Sequence, residues 1–249
     1  MSVSQPPLSH YGILSGQLFL YGAGRAAFES SLPLIEEKEK KKTRKCILLG
    51  GLSDGLCPVP YTQDLEIACK ESNWSLVQPI LSSSYTGFGH GSLKRDCQEL
   101  EELMDYLMKY RDAEEFALIG HSTGCQNAVH FLESASDTFA SRLKLVALQA
   151  PVSDREATTV HPPENYSNLM ESARLLVKEG KGQEMMPRSA FWAPITAQRF
   201  LDLNERDGAD DYFSSDYTDQ ELAERLQHVG NYKNLKVCSQ FVVFWHPLE

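Results

Sequence analysis

The chain has 249 residues, 42% of them hydrophobic and 23% charged, with a formal net charge of −10. That length suits one domain with a sizeable core, and the acidic balance argues against a nucleic-acid partner, whose phosphates it would repel. No stretch approaches the ~20 apolar residues of a membrane span, residues 1–11 lack the basic-then-apolar order of a secretory signal, and six singly scattered cysteines lack metal-ligand spacing, so a reducing, cytoplasmic setting is expected, with no metal or cofactor.

In chain order, Gln17-Leu18-Phe19-Leu20-Tyr21 reads as an edge strand. The charge run from Glu36 to Lys45 interleaves acids with bases, which predicts a solvated loop rather than a nuclear address. Cys46-Ile47-Leu48-Leu49 is a short apolar run of buried-strand type. It ends in Gly50-Gly51-Leu52-Ser53-Asp54-Gly55, which lacks the spacing of either common phosphate-cradling loop. Residues 61–72 carry a helical pattern through Leu65, Ile67, Ala68 and Cys69, and Trp74 to Leu81 reads as the next strand. The loop of residues 82–92 follows. In parallel sheets ligands sit beyond the carboxyl ends of strands, so Tyr85 and Phe88 are candidate substrate-binding residues; a flexible loop is the alternative. Leu93, Cys97, Leu100, Leu103, Met104 and Leu107 mark a long amphipathic helix.

The stretch that organises the rest is Gly120-His121-Ser122-Thr123-Gly124, a G-x-S-x-G pattern. Before it runs the apolar strand candidate Glu115 to Ile119. After it, Cys125, Ala128, Val129 and Leu132 repeat with the period of a buried helix face. Strand, sharp turn and helix make the context of a nucleophile elbow, with Ser122 as nucleophile and the two glycines relieving clashes in the turn. The helix start would offer the Thr123 N–H to an oxyanion. The glycine loop after a central strand is where such hydrolases place the second donor, here the Leu52 N–H, against the alternative of a plain turn. Cys46, Cys69, Cys97 and Cys125 fall in apolar patterns and are expected as reduced core thiols.

Leu143 to Gln149 is a further apolar strand, followed by Ala150-Pro151-Val152-Ser153-Asp154. The alternation of strands and helices over residues 46–150 predicts a mainly parallel sheet with helices on both faces. Residues 155–230 break that rhythm. They carry helical patterns at 164–179 and 218–228, the latter opened by a capping box from Thr218 to Glu221, and are read as a helical lid. The expected layout is one α/β domain with a core at 10–154 and 231–249. Asp207, Asp210, Asp211, Asp216 and Asp219 do not fit a calcium-loop spacing and read as solvated surface. Leu235-Lys236-Val237 begins a strand.

The glycine loop, Trp74 to Gln78, Ser82 to Gly89, the elbow and Leu148 to Glu156 together resemble a fungal family of α/β-hydrolases once grouped under a domain of unknown function. That family includes intracellular esterases of fusarinine-type siderophores. The resemblance covers about residues 10–237. It implies an α/β-hydrolase fold, a small-molecule ester substrate and cleavage of the ester bonds of fusarinine C, a cyclic trihydroxamate, for iron release. After Val237 the sequence departs from the family pattern, which would continue with further strands and a histidine loop.

Serine hydrolases of this fold run in the order Ser, Asp or Glu, His. Asp154, just beyond the strand after the elbow helix, is a candidate acid, with a loop or helix-capping aspartate as the equal alternative. His121 would point away across the elbow, His130 lies two turns down the elbow helix, and His90 and His228 sit in the rim loop and the lid. His246 alone has the right chain order for a base, although it sits beside a proline near a terminus. Without a base Ser122 is a weak nucleophile. The expectation for a chain lacking the family's last strands is therefore low stability and near-inactivity. The alternative function is a non-catalytic hydrolase-fold binding protein with an incomplete triad.

Overall fold

The computed structural model describes residues 12–30, 43–231 and 236–240. Seven strands form one sheet in the order β1-β2-β4-β3-β5-β6-β7. β1 (Gly16–Tyr21) and β2 (Arg25–Ser30) make an antiparallel hairpin. Its turn is carried by Gly22 and Gly24, both in the left-handed region at φ 51° and 91°. β2 lies antiparallel to β4 (Trp74–Pro79). From β4 onward, β3 (Thr43–Leu49), β5 (Ala113–His121), β6 (Leu143–Gln149) and β7 (Lys236–Gln240) run parallel.

The central strands read as unbroken apolar runs because both sheet faces are covered. Alternate residues of β3 go to opposite sides. Ile47 and Leu49 join Phe116 and Leu118 of β5 beneath α2 (Leu93–Tyr110) and α3 (Gly124–Ser134). Cys46 and Leu48 face Leu76, Ala117 and Cys69 of α1 (Thr62–Glu71) on the other side. α2 starts where Ser92 accepts a hydrogen bond from the Arg95 N–H at 3.2 Å. Its apolar stripe, Leu100 to Leu107, is fully buried. Cys46, Cys69, Cys97 and Cys125 are buried free thiols, as expected. The charge run is corrected at its end. Thr43, Arg44 and Lys45 belong to β3, and Lys45 is buried as the ion-pair partner of Glu29; residues 36–42 lie outside the described residues.

A short α4 (Asp137–Ala140) precedes β6. Between β6 and β7 come α5 (Asp154–Val160), α6 (Tyr166–Lys178), α7 (Ala197–Asn204) and α8 (Asp219–Leu226). α6 and α8 answer the two helical patterns. Both halves of the Thr218–Glu221 capping box are formed. α6 and α7 share a separate apolar cluster built on Leu169, Ala173, Ile195, Phe200 and Leu203, against which Leu52 of the glycine loop packs. The reading of the aspartates as solvated surface fails for two of them. Asp210 and Asp211 are 3% and 4% exposed, ion-paired to Arg199 and Arg155. β7 pairs with β6 from Lys236 opposite Leu145 to Gln240 opposite Gln149, so the strand runs past Val237. His246 and the apolar run Phe241 to Trp245 lie outside the described residues.

Candidate active site

β5 ends at His121 and α3 begins at Gly124, so the whole turn is Ser122-Thr123. Ser122 has φ 53°, a left-handed conformation that costs a residue with a Cβ ~1–2 kcal/mol. The neighbouring elements enforce it. A Cβ at Gly120 would lie 2.4 Å from the Gly124 carbonyl oxygen, and one at Gly124 would lie 2.3 Å from that of Leu49. Only glycine at both positions lets helix and strands approach this closely. The turn is tied to β6 through the Ser122 N–H, which donates to the Gln149 carbonyl at 3.0 Å, and closed by the Cys125 N–H donating to the Ser122 carbonyl at 3.0 Å.

The glycine loop lies directly alongside. A Cβ at Gly51 would fall 3.2 Å from the Ser122 Cβ and 3.5 Å from its Oγ. Asp54 shapes this loop: its Oδ2 accepts from the Gly51 N–H at 2.7 Å, and its own N–H donates to the Gly51 carbonyl at 3.0 Å. Within that closed turn the Leu52 N–H donates to no acceptor among the described residues, and neither does the Thr123 N–H. These two free backbone donors lie at the start of α3 and in the loop whose Gly51 packs against Ser122.

The Ser122 hydroxyl has no hydrogen-bond partner among the described residues. Three of the described histidines are engaged elsewhere. His121 Nδ1 contacts Gln149 Oε1, which also accepts from the Tyr61 hydroxyl at 2.7 Å. His130 bridges the Tyr212 and Ser134 hydroxyls, each at 3.2 Å, and burial lowers its pKa. His228 Nε2 meets the Val129 carbonyl at 3.2 Å. Of the two aromatic candidates, Tyr85 is 53% exposed and lays its ring over Gly55. Phe88 is 1% exposed. It packs on Phe191 and Trp192 with ring centroids 5.9 and 5.1 Å apart, joining the rim loop to the segment before α7.

Asp154 opens α5. Its Oδ2 accepts from Gln126 Nε2 at 3.0 Å, and the same amide nitrogen donates to the Val152 carbonyl at 2.9 Å. Burial pushes Asp154 up to about 7; the negative charge of Asp210 adds to this, and the Arg199 guanidinium opposes it. Asp96, held by Asn127 Nδ2 at 2.9 Å, is pushed up by burial to about 6. Arg199 and Asp210 form a buried ion pair, and Arg199 Nε also donates to the Phe88 carbonyl at 3.1 Å. A cavity of about 40 Å³ lies between this cluster and the turn, lined by Gly51, Thr123, Asp96, Asn127, Arg199 and Asp210. Of these polar residues the sequence patterns named Asp154 as a candidate acid and Asp210 as solvated surface, and did not single out Asp96, Gln126, Asn127 or Arg199. Gln126 and Asn127, two polar residues in the first turn of the elbow helix beside its apolar stripe, were the one available signal.

The raised carboxyls set a pH dependence. In the fold both titrate above the ordinary aspartate range. Between pH 4 and 7 the unfolded chain has released these protons while the folded chain still holds them. The unfolded state then binds fewer protons, so stability falls as pH rises through that window. A shift of this size corresponds to roughly 2–4 kcal/mol for Asp154 once it is fully ionised. Asp154→Asn is therefore expected to gain stability relative to the parent at pH 8 and little at pH 4.5, as read by urea denaturation. A variant that is less stable than the parent at pH 8 would show that the carboxylate is stabilised in the fold.

Among the described residues no helix is long and apolar enough to cross a membrane, and no group of His, Cys, Asp and Glu is placed to hold a metal ion. The family model described as a protein of unknown function (DUF1749) matches residues 1–243, running past Val237. A UPF0613 protein of Schizosaccharomyces pombe is 38% identical over 213 residues, covering 81% of this chain and 67% of its own. Fusarinine C esterase sidJ of Aspergillus fumigatus is 30% identical over 230 residues, covering 74% and 65%. The chain thus spans about two thirds of the length of these relatives. Among solved structures, siderophore hydrolase EstB from Aspergillus fumigatus superposes with a TM-score of 0.69 at 26% identity, over 92% of this chain and 77% of that one. An α/β-hydrolase fold protein of unknown function superposes with a TM-score of 0.56 at 19% identity, a likeness of fold alone. The architecture is the α/β-hydrolase fold, and by the span of the family match the chain belongs to the DUF1749 family.

Proposed function

We propose that the protein is a serine esterase that cleaves ester bonds of fusarinine-type hydroxamate siderophores in the cytoplasm, with the ferric iron as the substrate's cargo. The observation that carries this is Ser122, strained at φ 53° between two free backbone donors, Thr123 N–H and Leu52 N–H. Ser122 Oγ attacks the ester carbonyl as its proton passes to a base. In this reading the tetrahedral oxyanion accepts hydrogen bonds from the Thr123 and Leu52 N–H groups, which give up no other acceptor to receive it. Collapse expels the alcohol with that proton, and water then releases the acid and restores the hydroxyl. His246 is the base in this reading by its chain order, Asp154 the acid, Tyr85 and Phe88 contribute to the substrate rim, and residues 155–230 act as a lid over the 10–154 and 231–249 core. The names of fusarinine C esterase and siderophore hydrolase among the relatives support the substrate class.

A fluorophosphonate probe tests this, since it reacts only with an activated serine. A single adduct on the peptide that contains Ser122, together with release of acid from ferri-fusarinine C, is the expected result. The second reading, a hydrolase-fold protein that binds the ligand without cleaving it, is favoured by the unpartnered Ser122 hydroxyl. No adduct and no turnover would establish it over the first.

A further inference from the structure

A groove of about 550 Å³ opens between α5 and the segment before α7, next to the glycine loop. Its apolar walls are Leu52, Ala190, Phe191, Trp192 and Leu203. Asp154 and His161 are its ionisable lining residues. Trp192 is 58% exposed, a large aromatic surface left to water. It is nonetheless held firmly. The Arg188 guanidinium donates to the Phe191 carbonyl at 2.8 Å and to the Trp192 carbonyl at 2.7 Å, and the indole lies 5.1 Å from the buried Phe88 ring. A rigid, exposed aromatic with little left to lose in entropy is the usual anchor for an apolar ligand.

Leu52 joins this groove to the reacting centre. Its N–H is one of the two free donors beside Ser122, while its side chain packs on the α6–α7 cluster and lines the groove. A carbonyl oxygen received by that N–H belongs to the acyl carbon, so the substituent on the same carbon lies within one residue of the groove mouth. We propose that this groove takes the aliphatic arm on the acyl side of the scissile ester, and that Trp192 determines which arm length is accepted. The inference rests on Ser122 being the esterase nucleophile.

The test is the ratio of kcat/KM for p-nitrophenyl hexanoate to that for p-nitrophenyl acetate, measured on the full chain and on Trp192→Ala and Trp192→Phe. A ratio is insensitive to the fraction of folded enzyme. The parent is expected to favour hexanoate, and Trp192→Ala to lower the ratio about tenfold through KM, the scale of discrimination available to an apolar pocket; Trp192→Phe should restore most of it. An unchanged ratio in Trp192→Ala overturns the proposal, and so does a length preference that follows the alcohol rather than the acid in a matched ester series. Fluorophosphonate labelling of the parent separates the two readings. If the parent neither labels nor turns over, the esterase reading has failed, and the groove is judged by titrating hexanoate into the parent and both variants by calorimetry. A saturable heat of binding that is lost in Trp192→Ala and largely kept in Trp192→Phe then supports an aliphatic-arm site, and the absence of saturable binding in the parent, or its survival in Trp192→Ala, overturns it.

Discussion

Ser122→Ala is expected to lower kcat for ester hydrolysis relative to the parent by about 10³–10⁶-fold, with KM little changed and fluorophosphonate labelling abolished. In the proposed mechanism the hydroxyl forms the covalent bond, whereas the free N–H groups of Thr123 and Leu52 and the loop beside them are untouched by the change. What survives is the modest catalysis that an oxyanion hole and binding provide alone. Stability should hardly move, because alanine keeps the Cβ and with it the left-handed strain at φ 53°. Ser122→Gly, equally inactive, should be more stable by about 1 kcal/mol, since glycine adopts that conformation freely. Initial-rate kinetics and thermal denaturation of the three proteins check both halves. Turnover that persists in Ser122→Ala would move the chemistry to another residue.

The elbow was legible in the sequence because its requirements are local. Gly120 and Gly124 are needed for contacts within a few residues and with the end of β3, and the apolar periods on either side identify strand and helix. β3, β6 and α2 were legible for the same reason. β2 was not. Glu29 is buried in it, paired with Lys45 and Arg111 from elsewhere in the chain, so Arg25 to Ser30 does not alternate in polarity as a half-buried strand should. Asp210 and Asp211 were misread on similar grounds. An aspartate's count in an acidic stretch says nothing about an arginine brought to it by the fold, and Arg155 precedes Asp211 by most of the segment between β6 and β7.

The same limit applies to the site beyond Ser122. Which of seven histidines approaches a serine is a question of tertiary placement. Three of the described histidines are held by other elements: His121 by Gln149, His130 by Tyr212 and His228 by the Val129 carbonyl. Asp154 could be singled out by its place after a strand. Its neighbours Gln126, Arg199 and Asp210, which set its protonation, come from α3, α7 and the loop after α7.

Arg199→Met is expected to destabilise the fold by about 3–5 kcal/mol, the cost of leaving a buried carboxylate without its partner. Arg199 is 5% exposed and Asp210 3%; the pair is made through Asp210 Oδ1, and Oδ2 has no hydrogen-bond partner among the described residues. Methionine preserves the length of the stem but returns nothing to Asp210 or to the Phe88 carbonyl that Arg199 Nε also serves. The loss should grow with pH. Arg199 is the positive charge that opposes the rise in Asp154 and Asp96, so without it both carboxyls are harder to ionise in the fold while the unfolded chain ionises as before. By linkage the penalty increases between pH 5 and 8. Adding Asp210→Asn removes the unpaired charge, and the double variant should recover most of what the single one loses. Urea denaturation at pH 5 and pH 8 decides the matter. A loss under 1 kcal/mol in Arg199→Met, or a double variant no more stable than the single, would mean that water or a rearranged side chain already serves Asp210, and that the cluster beside the elbow does not depend on this pair.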